Sequence, residues 1–166
     1  MKMNFIIYIL AALVPMIMGF IWYNPKVMGT AWMQSSGMTD EKVKGGNMPL
    51  IFGLSFLFSI MLGMGLIPAV IHQMSALSAL GGDAEVVKSQ ASVDAWNSFL
   101  GAIKGNHRSF GHGALHGTMI GLLIGLPIMG TNAMFERKSL KYVLINVGYW
   151  TVTLALMGGI LCQTAF

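Results

Sequence analysis

The chain has 166 residues, of which 55% are hydrophobic and only 10% charged, with a formal net charge of +4 and one cysteine, Cys162. Soluble domains carry about 25% charged residues, so this composition excludes an ordinary water-soluble fold, and a lone cysteine excludes an intrachain disulfide. The ten basic residues sit mostly beside apolar runs, where they act as topology determinants, so the positive charge does not argue for a nucleic-acid partner.

Four runs contain no Asp, Glu, Lys or Arg: Phe5 to Trp22, Pro49 to Ile71, Gly117 to Phe135 and Tyr142 to Phe166. Each is near the roughly 20 residues needed to cross the hydrocarbon core. They predict an all-α integral membrane protein, four transmembrane helices in a bundle, plus an interfacial amphipathic helix between spans two and three. The fifteen methionines are scattered through every span and read as adaptable packing rather than copper ligands.

Span one is expected over about 4–22. Lys2 precedes it as in a signal peptide, but no small-residue cleavage pattern follows, so the segment is kept as a span. Pro15 predicts a kink near its middle. Trp22, Tyr23 and Trp32 bracket Pro25 and Gly29, which reads as a short turn and helix with aromatic anchors at the membrane interface. Thr39 is placed to cap a short helix starting with Asp40 and Glu41, and Gly45-Gly46 ends it before Pro49 enters span two.

Span two, about 48–72, carries Ser55, Ser59 and Gly63 at four-residue intervals, a small-residue stripe suited to close helix packing. Pro68 is expected to distort its last turn, leaving His72 at the boundary as a solvated imidazole. In the long connection that follows, Val93, Trp96, Phe99, Leu100 and Ile103 fall on one helical face, with Asp94, Asn97, Ser98 and Lys104 elsewhere. This pattern predicts an interfacial helix over about 92–104, anchored by Trp96. A lid over a pore is the sharper alternative.

Span three, about 111–135, opens on H-G-A-L-H-G-T-M-I-G-L-L-I-G. Gly113, Gly117, Gly121 and Gly125 make a smooth stripe, expected to face the stripe of span two or its own copy in another subunit, as in a homo-oligomer held by a glycine zipper. Pro127 should kink the span. After the short loop from Glu136 to Lys141, span four, about 142–164, carries Asn146, Tyr149, Trp150, Thr151 and Thr153 in its first half. Spans one and three share a proline followed by a glycine, a weak hint of a parallel repeat. Six basic residues flank the first and third loops, namely Lys26, Lys42, Lys44, Arg137, Lys138 and Lys141, which places those loops in the cytoplasm and both termini outside.

His112 and His116, four residues apart, offer two nitrogens on one face, to a metal ion or to a passing proton. A metal would need a further ligand, from His107, His72, Asp83, Glu85 or Asp94. Haem is excluded, because two nitrogens on one face cannot take opposite axial positions. A second polar set, Asn132, Glu136, Asn146 and Tyr149, is expected to form a pocket between spans three and four. No nucleophile with a neighbouring base, phosphate loop or paired carboxylates is present, so the chain is expected not to be an enzyme and to need no cofactor. Two roles stay open beside a packed bundle of unknown role: a binding or permeation module for a proton, metal ion or small solute, and an assembly subunit of a larger membrane complex.

The segments I-W-Y-N-P-K (Ile21 to Lys26), S-G-M-T-D-E-K (Ser36 to Lys42), F-G-H-G-A-L-H-G (Phe110 to Gly117), T-N-A-M-F-E-R-K (Thr131 to Lys138) and G-Y-W (Gly148 to Trp150) together resemble the bacterial domain-of-unknown-function family 1761. The resemblance covers nearly the whole chain. It implies a small four-span protein of the bacterial inner membrane with no assigned activity. Related sequences tend to carry a lysine before the first histidine of span three; this chain has Gly111 there.

Overall fold

The computed structural model describes residues 3–80, 89–103 and 107–165. Those residues form helices and connecting turns, with no strand among them. Four helices are long and apolar enough to cross a membrane: Phe5–Trp22, Met48–Val70, Phe110–Phe135 and Leu140–Thr164. Each starts at a polar cap whose side-chain oxygen takes a backbone N–H that the helix leaves unpaired: Asn4 from Ile7, Asn47 from Leu50, Ser109 from His112 and Ser139 from Tyr142. The apolar runs therefore become helices whose starts are fixed by single residues. Large apolar side chains cover the outside, with Ile6 74%, Leu123 67% and Phe135 84% exposed, a surface that suits lipid and not water.

The short helices of the first connection follow their local signals. Asn24 accepts from Lys26 N at the start of the turn Pro25–Gly29, which runs into the helix Thr30–Ser36. Thr39 caps Asp40–Lys44 by accepting from Lys42 N, and Gly45 ends it. Fully exposed Glu41 has its carboxyl held below the usual range, first by its own backbone N–H and then by the Thr39 side chain. Gln90–Ile103 is helical, with Val93, Trp96, Phe99 and Ile103 half-buried; Leu100, expected on the same face, is exposed.

Span four is the hub. Twelve of its 25 residues are buried inside the bundle, against four in span three, Gly113, Gly117, Gly121 and Ala133. Within the chain the glycine stripe packs here and not against span two. A β-carbon on Gly113 would collide with the Gly158 carbonyl and Cys162, one on Gly117 with the Leu154 carbonyl, and one on Gly121 would lie 2.6 Å from Thr151 Cα. Span four supplies a complementary small surface at Gly158, where an added β-carbon would lie 2.5 Å from the Gly113 carbonyl oxygen, while Gly159 makes room for the Phe110 ring. The span-two stripe instead meets spans one and four: a β-carbon on Gly63 would sit 3.0 Å from the Tyr8 ring and 3.1 Å from Met157 Cε, and the Tyr8 hydroxyl donates to the Ile60 carbonyl. The stripes part ways because each needs an opposing small or flexible surface, and span four offers one to both.

Of the kinks expected at Pro15 and Pro127, only the second coincides with a change of helix geometry. The helix of span one continues through Pro15, whose carbonyl accepts from the buried Tyr149 hydroxyl at 2.7 Å. In span three the turn Gly121–Gly125 widens to π geometry just ahead of Pro127, which has no N–H to return to the preceding turn. At the other end of the bundle the backbone N–H of Asn4 donates to the Ala165 carbonyl at 2.7 Å, so the two ends of the described chain lie together.

Candidate metal centre

Span two stops at Val70, and Ile71 takes an extended conformation (φ −118°, ψ 94°) while its side chain is fully buried. That break turns the next residue, His72, into the first turn of the helix His72–Ala79 and toward span three. Ser75 fixes the corner, its hydroxyl donating to the Pro68 carbonyl at 2.7 Å. On the facing side, the Ser109 cap sets the register of span three, so His112 and His116 lie one turn apart on one face. Gly113 and Gly117, between and beside them, bring this face against span four. Two local decisions, a cap and a helix break, thus aim three imidazoles at one point.

The three ligand nitrogens of His72, His112 and His116 all lie within 4.8 Å of one another. His72 Nε2 and His112 Nε2 are 2.9 Å apart, one protonated nitrogen donating to the other's lone pair. Ring centroids are 4.8 Å apart for His72 and His112, 5.0 Å for His72 and His116, and 4.5 Å for His112 and His116. His107 joins from the turn before span three, its ring 4.9 Å from that of His112 and 5.6 Å from that of His72. All four histidines of the chain therefore meet at one end of the bundle.

The turn that carries His107 is tied to span four. Cys162 Sγ lies 3.1 Å from both the Val70 and the His107 carbonyls, and its S–H donates toward them; Arg108 Nε donates to the Cys162 carbonyl at 2.6 Å. His107 itself adopts φ 66°, a left-handed conformation uncommon outside glycine. His72, just outside span two, has its pKa pushed below the ordinary imidazole value, by burial first and then by the neighbouring His116 and His107. A neutral imidazole keeps the lone pair that a metal ion requires.

The expected site residues divide as follows. His112, His116 and His107 come together, and His72, expected to be solvated, is half-buried among them instead. Asp94 pairs with Gln90 Nε2 at 2.8 Å, while Asp83 and Glu85 fall outside the described residues. The second polar set splits. Asn132 and Glu136 line a small cavity of about 130 Å³ with Tyr142, whereas Asn146 accepts from the Tyr23 hydroxyl at 2.8 Å and Tyr149 donates to Pro15. Trp22 and Tyr23, expected as interface anchors, pack on span four, with Trp22 Nε1 donating to the Ile145 carbonyl at 3.1 Å; Trp32 sits edge-on to Tyr23 at 5.3 Å, and Trp96 stacks on Phe99 at 5.9 Å. Ser55 and Gly125 line a cleft of about 1010 Å³ among the four spans at the loop end.

One signal could have identified His72 from the sequence. Span parity puts the end of span two and the start of span three on the same side of the membrane, so His72, His107, His112 and His116 were all bound to lie at that side.

A multi-pass membrane protein of four helices, with an all-histidine cluster at one end of the bundle, is the class that this arrangement defines. Residues 6–162 match the family described as protein of unknown function DUF1761, and the chain belongs to that family. No curated protein and no solved structure matches the chain.

Proposed function

We propose that this protein binds one borderline divalent metal ion of the zinc type through His72, His112 and His116, with His107 closing the shell. The observation that carries the reading is the convergence of the three ligand nitrogens within 4.8 Å. In a tetrahedral shell with zinc–nitrogen bonds of about 2.0–2.1 Å, neighbouring nitrogens lie roughly 3.3 Å apart. The 2.9 Å pair is already at that scale, so small ring rotations of His116 complete the set. Nitrogen ligands favour zinc, nickel or copper over calcium and magnesium, which take oxygen. The role we propose is binding: with His107 as the fourth ligand the shell is closed, as in structural zinc sites, and no position is left for a reacting water.

The finer placement belongs to the same reading. The protein sits in a bacterial inner membrane with both termini and the histidines outside, on the strength of the six basic residues around the first and third loops. The ion is thus taken from the outer medium. A homo-oligomer draws no support from the glycine stripe, which is used within the chain.

Untagged protein, purified in detergent and stripped with a chelator, tests the proposal by calorimetric titration with zinc chloride. The expected result is one ion per chain, with affinity lowered at least about tenfold by His72→Ala or His112→Ala. Absence of saturable zinc uptake by the unmodified chain overturns it.

A further inference from the structure

The histidine cluster leaves the cleft at the loop end unexplained; none of the four histidines lines it. Span two packs against the first half of span three, Phe110–Ile120. Beyond that contact the two spans form walls of the cleft, with span one, from Pro15 to Phe20, and Tyr149 and Trp150 of span four completing its lining. Phe58 on one wall and Ile128 on the other line the cleft and are yet 59% and 57% exposed, so it opens sideways toward the lipid. The wall of span two runs from Met48 to Leu62, roughly 20 Å of helix at about 1.5 Å per residue. That length covers one leaflet, about half of a ~30 Å hydrocarbon core plus its interface.

The geometry points to a bound anionic glycerophospholipid, acyl chains in the cleft and phosphate at its loop end. Three features select this occupant. The volume of about 1010 Å³ is at the upper limit of pockets that hold one small molecule, so a single amphiphile suits it better than a helix about 10–12 Å across. The lining is mostly apolar within the spans, broken by Ser55, Ser59 and Tyr149, and gains Tyr23, Asn24 and Trp32 at the loop end, the order of tail and headgroup. The two loops at that end carry six Lys and Arg against three carboxylates, and Lys26 and Lys44 directly follow the lining residues Pro25 and Val43. Basic residues above a pocket between membrane helices recognise anionic headgroups.

The test is native mass spectrometry of the protein released from vesicles of equal parts phosphatidylglycerol and phosphatidylcholine. The unmodified chain is expected to retain phosphatidylglycerol at least about fivefold over phosphatidylcholine, the preference that one surface cation provides. Ser55→Trp, which fills the cleft from an exposed wall position, should abolish retention, and Lys26→Glu with Lys44→Glu should remove the preference while tail occupancy persists. Retention at the bulk ratio overturns the proposal, as does a dimer that Ser55→Trp dissociates, since a second copy would then fill the cleft. If Ser55→Trp does not fold, the charge reversal decides alone, because both lysines are exposed outside the spans; an unchanged preference overturns the proposal.

Discussion

At the residue scale, the four histidines are not equivalent. His72 and His112 share a hydrogen bond, whereas His107 reaches the cluster through ring contact from an exposed turn with left-handed backbone. Removing the His107 ring should therefore weaken zinc less than His112→Ala does, and His107→Gly should also relieve the backbone, so that thermal stability is kept or rises. Paired zinc titration and melting curves check both statements. Cys162 acts at one remove: its thiol joins the carbonyls of Val70 and His107, the residues that lead into the two sides of the cluster. Cys162→Ala should lower zinc affinity several-fold with all four imidazoles intact, measured by the same titration, while Cys162→Ser, which keeps a donor, should recover part of the loss. Protons compete with the metal. His72 is held below the ordinary imidazole value of about 6.5, so it is neutral at pH 7, and zinc should be released as pH falls below that value and the imidazoles protonate. Zinc uptake as strong at pH 5 as at pH 7.5 would contradict a histidine shell.

At the element scale, the glycines separate into two kinds that the sequence spells alike. Gly117 faces the Leu154 carbonyl so closely that a single methyl must push backbone, while Gly65 and Gly130 have nothing within 4 Å of a β-carbon. Overpacking typically costs about 1–3 kcal/mol, whereas alanine in an open helical position gains roughly 0.5–1 kcal/mol over glycine. Gly117→Ala should lower the melting temperature in detergent, and Gly65→Ala should leave it unchanged or raise it. The cap at Thr39 gives a milder prediction. Glu41 has a lowered folded pKa, so its contribution is present above about pH 4.3 and is lost as pH falls through the lower folded value. Thr39→Ala should move the Glu41 carboxyl back toward the ordinary range, read by its side-chain NMR shift against pH.

Span starts fall within two residues of the expected 4, 48, 111 and 142 for a local reason: Asn4, Asn47, Ser109 and Ser139 each act on backbone only three residues away. The partner of the glycine stripe was not legible. Spacing shows that one face is smooth, but which helix lies on it depends on the loops and on the Gly158-Gly159 step of span four, over forty residues from Gly113 along the chain. His72 shows the same boundary. Its place at the end of an apolar run suggested solvent, and only the extended Ile71 directs it inward.

At the scale of the whole molecule, the two ends of the bundle differ in kind. One gathers imidazoles and both ends of the described chain; the other has a laterally open cleft lined by apolar and aromatic residues, beside loops that carry lysines. The division was partly readable, because span parity assigns the histidines to one side and the loop lysines to the other. The cleft was not, since it arises where span three widens at Gly121–Gly125 and the opposing walls are no longer in contact.

The central position of span four has a consequence for biosynthesis. This helix is the last of the four to leave the ribosome, yet spans one, two and three all pack on it. Earlier spans can enter the bilayer one by one, but the glycine face of span three has no seat until span four has been made. Assembly must therefore follow insertion, and chains interrupted before Leu140 would leave that narrow groove open to lipid, a mark by which membrane quality control could tell an unfinished copy from a complete one.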